Sequence, residues 1–410
     1  MSRHYAIVAV SYFDGEKYFP DGPYTMVVEN GNITDVAAGD FTDALEKRKI
    51  PVRRAPFLMP GLVEAHCHLF LDGGQLEFQA RSEYLNATND EMQEVARANV
   101  AANLAAGVTL VVDAGDRYGI NHAIRSESRT VTVRSAGLGL RRPGRYGSFM
   151  AREVAGHTEI EAAVREIGKT ADELKVILTG IIDFEAGGVK GKPQFNEEEL
   201  RLIVSLARRQ GLRTFVHCSG IDGLETAVAA GVDSIEHGFF MTREVLQGMA
   251  EQGIAWVPTF SPVHFQWQHP EIAGWNGQTV ANLRRILDSH LEHVGLAAEL
   301  GVPLIAGSDA GSHGVRHGAA LIDELDFFAR AGLPMEDILR AATSLPRQRW
   351  GVAPARLAAG QQAECVALAG SPFDDPVHLH HLVEVFREEI VSKEHCAGNP
   401  EKKLLRSAAG

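Results

Sequence analysis

Apolar positions along this chain fall into two textures, and the change between them predicts its organisation. Near the start, Tyr5 to Tyr12 is an apolar, β-rich run, Asp14-Gly15 reads as a turn, and Tyr24 to Glu29 predicts a second strand before Gly31-Asn32. Further on, short apolar runs alternate with amphipathic stretches at spacings suited to βα units. The candidate strands are Gly107 to Asp113, Lys175 to Gly180, Thr214 to Cys218, Asp233 to His237, Ala255 to Thr259 and Pro303 to Ser308. Asp90 to Ala106 has helical spacing. Asn196, with Glu199 three residues on, predicts a capping box for a helix through Arg209, and Gly211 sits just past its end. After about residue 352 the alternation stops, and Ala363 to Leu368 and Val383 to Phe386 read as strands again. Strand-rich ends around a βα centre suggest one small β domain built from both ends of the chain.

Composition narrows the class. With 45% hydrophobic and 23% charged residues in 410, wholesale disorder is excluded. Forty basic against 53 acidic residues give a net charge of -13, which argues against nucleic acid or an anionic membrane as the main partner. No apolar run approaches the roughly 18 residues of a membrane span, and no secretory h-region is visible at the start. Cys67, Cys218, Cys365 and Cys396 have no CxxC spacing, so neither a zinc knuckle nor a disulfide framework is expected. A cytoplasmic enzyme acting on small molecules is the expectation.

The sharpest local feature is Pro60-Gly61-Leu62-Val63-Glu64-Ala65-His66-Cys67-His68. Two histidines at i and i+2 on a strand share a face and can reach one ion. A lone His-X-His is weak: His378-Leu379-His380 has the same spacing without the leading strand and reads as surface, and His290 and His293 read as helix surface or packing. What raises the odds is order. His217 ends Thr-Phe-Val-His, His237 ends Ser-Ile-Glu-His-Gly, and Asp309 ends Ile-Ala-Gly-Ser-Asp. Catalytic groups of a (β/α)8 barrel come from the C-terminal ends of several strands. Lys175 by itself reads as a solvated lysine at a strand edge, and Cys67 and Cys218 alternate away from the histidines and read as packing.

From Pro60-Gly61 through Gly351 the chain resembles the amidohydrolase superfamily, nearest to its imidazolonepropionase/prolidase-like metal-dependent hydrolases. The likeness is carried by the His-X-His run and by Gly107-Val108-Thr109, Ala171 to Gly180, Gln194 to Leu200, Gly231 to Gly238, Gly307 to Gly311 and Leu339 to Thr343. It implies an α/β fold: a TIM-like (β/α)8 barrel over residues 59–351 and a small β-sandwich from residues 1–58 and 352–395, with a polar tail over 396–410. It also implies two divalent ions, zinc foremost, with His66, His68, Lys175 and Asp309 around one and Lys175, His217 and His237 around the other. The lysine would be a CO2-derived carbamate, because an ammonium has no lone pair for a metal. A metal-bridging hydroxide would cleave a C–N bond in an amide or cyclic amide, N-acyl amino acids and dipeptide-like compounds included, with Asp309 as general base. A homo-oligomer is expected. The alternative is a mononuclear deaminase or imidazolone-type ring opener; a non-catalytic scaffold member is disfavoured, since all six ligand positions are filled.

Three departures stand out. Glu64 replaces the family's usual Asp before the first histidine, and Gly220 stands where the deaminases carry a glutamate, three residues after His217. In place of a His-bearing, glycine-rich loop after strand three stands Leu140-Arg141-Arg142-Pro143-Gly144-Arg145-Tyr146. Arg141, Arg142 and Arg145 would recognise a substrate carboxylate, with Tyr146 contacting or covering the substrate and Lys190 and Lys192 adding to a positive mouth. A solvated loop is the plain alternative.

Overall fold

The structure, a computed structural model, describes residues 4–387 and 389–392. The tail expected over 396–410, and Cys396 with it, lie outside the described residues. Two compact units are present. The first comprises the chain up to Gly61, Ala101–Gly107 and the residues from Ala355 on. Its 8-stranded sheet runs Glu389–Ser392, Leu382–Arg387, Cys365–Leu368, Val52–Pro60, His4–Phe13, Tyr24–Glu29, Asn32–Ala38, with Tyr18–Phe19 paired to His4–Phe13. Strands from both chain ends thus share one sheet, as the two strand-rich textures predict: Val366 stands opposite Met59 in an antiparallel ladder. Alternate residues Tyr5, Ile7 and Ala9 join Met26, Val28 and Phe386 in one buried apolar layer. Asp14 closes the first turn by accepting from the amides of Glu16 and Lys17, both at 2.7 Å.

The second unit comprises Leu62–Val100 and Val108–Pro354 and forms the barrel. Parallel strands run Leu62–Cys67, Val108–Asp113, the two pieces Thr132–Ser135 and Gly139–Arg141 that share the third position, Glu173–Ile177, Arg213–Cys218, Ser234–His237 and Ala255–Val257. The eighth position is held without a long ladder. Ile305 donates to the Trp256 carbonyl, while Ala65 donates to Ala306, Asp309 to His66 and His68 to Ala310, which joins the last segment to the first. Glycines 307 and 311 sit in this seam; a Cβ on Gly307 would come within 2.7 Å of Val257. Val63 and Ala65 on one strand face join Leu110, Val112, Ala255, Val257, Ile305 and Trp350 in a buried layer, which leaves Glu64 and His66 for the other face. Helix Glu197–Arg209 opens as its sequence signals: Asn196 accepts from the Glu199 amide at 2.9 Å, and Glu199 returns the bond at 3.1 Å. No helix among the described residues is long and apolar enough to cross a membrane.

The two other histidine pairs, His378 with His380 and His290 with His293, separate here. Pro376–His380 is a 3-10 turn with His380 exposed and His378 half-buried. His290, on helix Gly277–Leu300, is a buried packing residue: its ring stacks on Phe239 at 3.9 Å and its Nε2 bonds the Pro258 carbonyl at 3.0 Å. Burial pushes its pKa from the ordinary 6.5 down to about 3. The neutral imidazole therefore supports the fold fully above pH 6.5, and that support is lost as pH falls from 6.5 towards 3, at about 1.4 kcal/mol per unit. The fall in thermal midpoint between pH 7 and pH 4 should be several degrees shallower in His290→Leu than in the unaltered protein. Parallel curves for the two would show that His290 titrates without cost.

Candidate metal centre

Five of the six expected ligands gather directly from strand ends. His66 and His68 follow from the first barrel strand, Lys175 lies in Glu173–Ile177, His217 in Arg213–Cys218, and His237 closes Ser234–His237. Asp309 comes from the seam segment. His66 Nε2 and His68 Nε2 lie 3.7 and 3.6 Å from Asp309 Oδ1, and Lys175 Nζ is 3.3 Å from His66 Nε2. The ligand atoms of His66, His68 and Asp309 all fall within 4.8 Å of one another, close enough for one ion. The His237 ring is centred 5.0 Å from that of His66 and 4.6 Å from that of His217. His68, Lys175, His217, His237 and Asp309 line one cavity of about 150 Å3.

The imidazoles of His66, His68 and His237 are each held by one nitrogen and turned inward by the other. His66 Nδ1 meets Glu236 Oε2 at 2.5 Å, His68 Nδ1 meets the Gly115 carbonyl at 3.1 Å, and His237 Nδ1 meets Thr259 Oγ1 at 2.7 Å. Such partners fix the tautomer and present Nε2 as a lone pair. Burial lowers all four pKa values, His68 and His217 to about 3 and His66 and His237 well below the ordinary value, so all four rings are neutral donors at pH 7. Burial also drives Lys175 downward, against the pull of Glu236 and Asp309. Its side chain is 1% exposed, with Nζ 4.6 Å over the Phe215 ring. A buried amine among four neutral imidazoles is held less firmly as an ammonium than a solvated lysine is. Asp309 is raised to about 6, again by burial first, with Lys175 opposing. The donor set suits divalent cations that take nitrogen and carboxylate ligands.

The backbone carries its own mark. His237, Thr259 and Asp309 have φ of 68°, 49° and 56°, left-handed values that cost a non-glycine residue of order 1 kcal/mol or more. Three such residues at the ends of three barrel strands, two of them expected ligands, are strain concentrated at one place. Left-handed backbone at His237 also ends the alternation that puts Ser234 and Glu236 on one face, where Ser234 Oγ donates to Glu236 at 2.6 Å.

Supporting residues that sequence reading passed over now have roles. Glu236 orients His66, and Asp113 accepts from the amides of Leu69 and Gly115, both at 2.8 Å, the latter behind His68. Glu64, the departure from the usual Asp, accepts from the His66 amide and from the Ser308 amide and hydroxyl, tying the first strand to the residue before Asp309. Burial raises its pKa to about 7. Gly220, at φ 80°, opens helix Ile221–Ala230 and offers no proton-carrying side chain. Cys67 and Cys218 are buried, with thiols pushed upward by burial, as packing residues should be.

The arginine loop is divided. Tyr146 lines the ligand cavity, its ring 5.3 Å from that of His217. The three arginines do not line it. Arg141 pairs with Glu153 at 2.8 Å and donates to the Arg145 carbonyl at 2.7 Å. Arg142 pairs with Glu199, donates to the Gln194 and Val154 carbonyls and lies over the Phe195 ring. Arg145 donates to the Lys192 carbonyl, and Lys190 stands 3.7 Å from Asp183. Arg141 and Arg142 thus tie neighbouring segments together through Glu153 and Glu199.

Comparison with known proteins bears on the same residues. The amidohydrolase family model matches residues 57–400. An uncharacterized protein of Mycobacterium tuberculosis is 30% identical over 325 residues, 79% of this chain and 82% of that one. Ochratoxinase of Aspergillus niger is 32% identical over 253 residues, covering 60% of this chain and 50% of the enzyme. Among solved structures, an Xaa-Pro dipeptidase with bound methionine superposes with a TM-score of 0.77 at 23% identity, over 95% of this chain and 100% of that one.

Proposed function

The chain belongs to the amidohydrolase family, and on that premise we propose that it is a binuclear, metal-dependent hydrolase of an amide or cyclic amide. The observation that carries this reading is the convergence of four neutral imidazoles, those of His66, His68 and His237 held through Nδ1, on Lys175 and Asp309. His66, His68, Lys175 and Asp309 would hold one divalent ion, and Lys175, His217 and His237 a second, with zinc the first choice. When bound, such ions supply a Lewis-acid pull on the scissile carbonyl and a water acidified towards about 7. Lys175 would serve as its carbamate: the neutral amine adds to CO2, forms an N–C bond and releases one proton. Burial favours the neutral, nucleophilic amine over the ammonium, and bound ions would offset the charge of the carbamate. Asp309 would take a proton from the attacking water and pass it to the leaving nitrogen, its side chain facing the cavity. Tyr146, whose hydroxyl burial keeps protonated, stands where it could donate to the substrate carbonyl. The likeness to ochratoxinase and to an Xaa-Pro dipeptidase supports amide substrates. Gly220 disfavours the deaminase alternative, which lacks its proton carrier.

Zinc-loaded protein should hydrolyse members of a panel of N-acyl amino acids, lactams and hydantoins. A chelator should lower the rate at least a hundredfold, and added zinc should restore it. Hydrolysis indifferent to chelation would remove the metal from the reading.

A further inference from the structure

Beside the ligand cavity lies a second, larger one of about 400 Å3, and the two share Leu71, Arg81 and Phe149. They are two chambers of one cleft. Phe78, Tyr84, Leu85 and Val95 make the larger chamber mainly apolar, and it has room for an aromatic side chain. One wall is the short helix Phe78–Tyr84, none of whose residues is buried. Its rings are nonetheless fixed in place: Phe78 stacks on His313 at 4.4 Å, and the Tyr84 hydroxyl donates to the Phe70 carbonyl.

Arg81 stands in the shared wall. One terminal nitrogen donates to the Asp72 and Gln75 carbonyls at 2.6 and 3.2 Å, the other to the Gly311 carbonyl at 2.8 Å. A guanidinium has five N–H groups, so donors remain. Asp72 is the acid whose field reaches it, but the Asp72 Oδ1 atom caps the Gly74 amide at 2.7 Å, and no carboxylate is ion-paired with Arg81 among the described residues. The contrast with Arg141 and Arg142, each bound to a glutamate, is plain. Partly buried, hydrogen-bonded to carbonyls and reached by the Asp72 charge without an ion pair, Arg81 keeps charge to offer an anion, in a protein whose overall field would otherwise repel one.

We propose that Arg81 and the larger chamber form a substrate-recognition subsite: the guanidinium takes a free carboxylate, and the chamber takes a bulky apolar side chain on the same carbon. An N-acyl amino acid, with its amide bond in the smaller cavity, meets both demands at once. The placement of that bond rests on the hydrolase reading above; the subsite itself does not. Charge-assisted Arg–carboxylate contacts in a partly dry site are among the stronger polar pairs, and a tenfold or greater preference for acid over amide follows.

N-methanesulfonyl derivatives of glycine and tryptophan, as free acids and as N-methylamides, resist hydrolysis and report binding alone by calorimetry on the zinc-loaded full chain. The tryptophan acid should bind at least tenfold tighter than its N-methylamide and at least tenfold tighter than the glycine acid. Arg81→Gln keeps an N–H for the Gly311 carbonyl and should erase the acid preference while sparing the side-chain preference. Ala80→Trp, which fills the chamber from an exposed helix, should do the reverse. Metal content and thermal midpoint should stay unchanged in both. Equal binding of acid and amide, undetectable binding, or an Arg81→Gln loss shared by acid and amide would each overturn the subsite. Release of acetate from the matching N-acetyl compounds is followed separately. Its absence alongside the expected binding pattern would sink the hydrolase reading and leave the subsite standing.

Discussion

Asp309→Asn should lose on the order of 10³-fold or more in kcat, with the zinc-loaded protein still folded. The substitution keeps an oxygen near His66 and His68, 3.7 and 3.6 Å away in the unaltered protein, yet removes the group able to accept a proton. General acid–base work contributes roughly 10²–10⁴-fold, and the weakened ion contact adds to the loss. The pH profile offers a second readout. A carboxylate that must accept a proton works only when ionised, so kcat/KM should fall as pH drops through the pKa of the Asp309–water pair. The acid limb should disappear in the residual activity of the variant. Near-normal turnover in Asp309→Asn would assign proton transfer to another residue.

Lys175→Ala carries the second large effect. Purified after growth with zinc and bicarbonate, the unaltered protein should hold close to two ions per chain. The variant should lose about one of them or more, and on the order of 10²-fold or more in kcat. Stability should move the other way. Burying an amine with no ion-paired carboxylate is costly, so the metal-free variant should melt no lower than the metal-free parent, in spite of the cavity that truncation leaves. A structural lysine would show the opposite pattern: metal content unmoved and thermal midpoint down. Two ions per chain in Lys175→Ala would sink the binuclear reading.

Local signals were legible in the sequence where the interaction itself is local. The Asn196–Glu199 capping box spans three residues and forms as expected. Strand ends bearing His66, His217 and His237 could be placed because apolar runs stop there, and the order of those ends suggested a shared face of a barrel. Whether Lys175 joined them could not be read from Glu173-Leu174-Lys175-Val176-Ile177, where a solvated edge lysine has the same letters. Likeness to a family, not spacing, brought it in. Contacts between distant segments were not legible. Glu236 faces His66 across 170 positions, and Glu64 reaches Ser308 across 244. Arg142 finds its carboxylate in Glu199, 57 residues on, a pairing that the local run of arginines does not announce. Arg81 sits in a polar stretch with no pattern at all, and only its place between two chambers distinguishes it. The left-handed residues His237, Thr259 and Asp309 also leave no trace in composition, because the fold imposes them against preference.

The helix Phe78–Tyr84 walls a chamber while burying none of its own residues. Apart from Phe78, Arg81 and Tyr84, which hold partners in the barrel, its sequence is therefore nearly free of packing demands, and changes there should cost the fold little. A lineage can redraw this stretch, or borrow it from a relative, while the strand ends that bear the histidines stay untouched. Diversification of diet and conservation of chemistry are thereby assigned to different pieces of chain. A laboratory library confined to residues 75–85, with Phe78, Arg81 and Tyr84 kept, should return mostly folded, metal-loaded proteins whose substrate preferences differ, a far better yield than randomising any strand that carries a ligand.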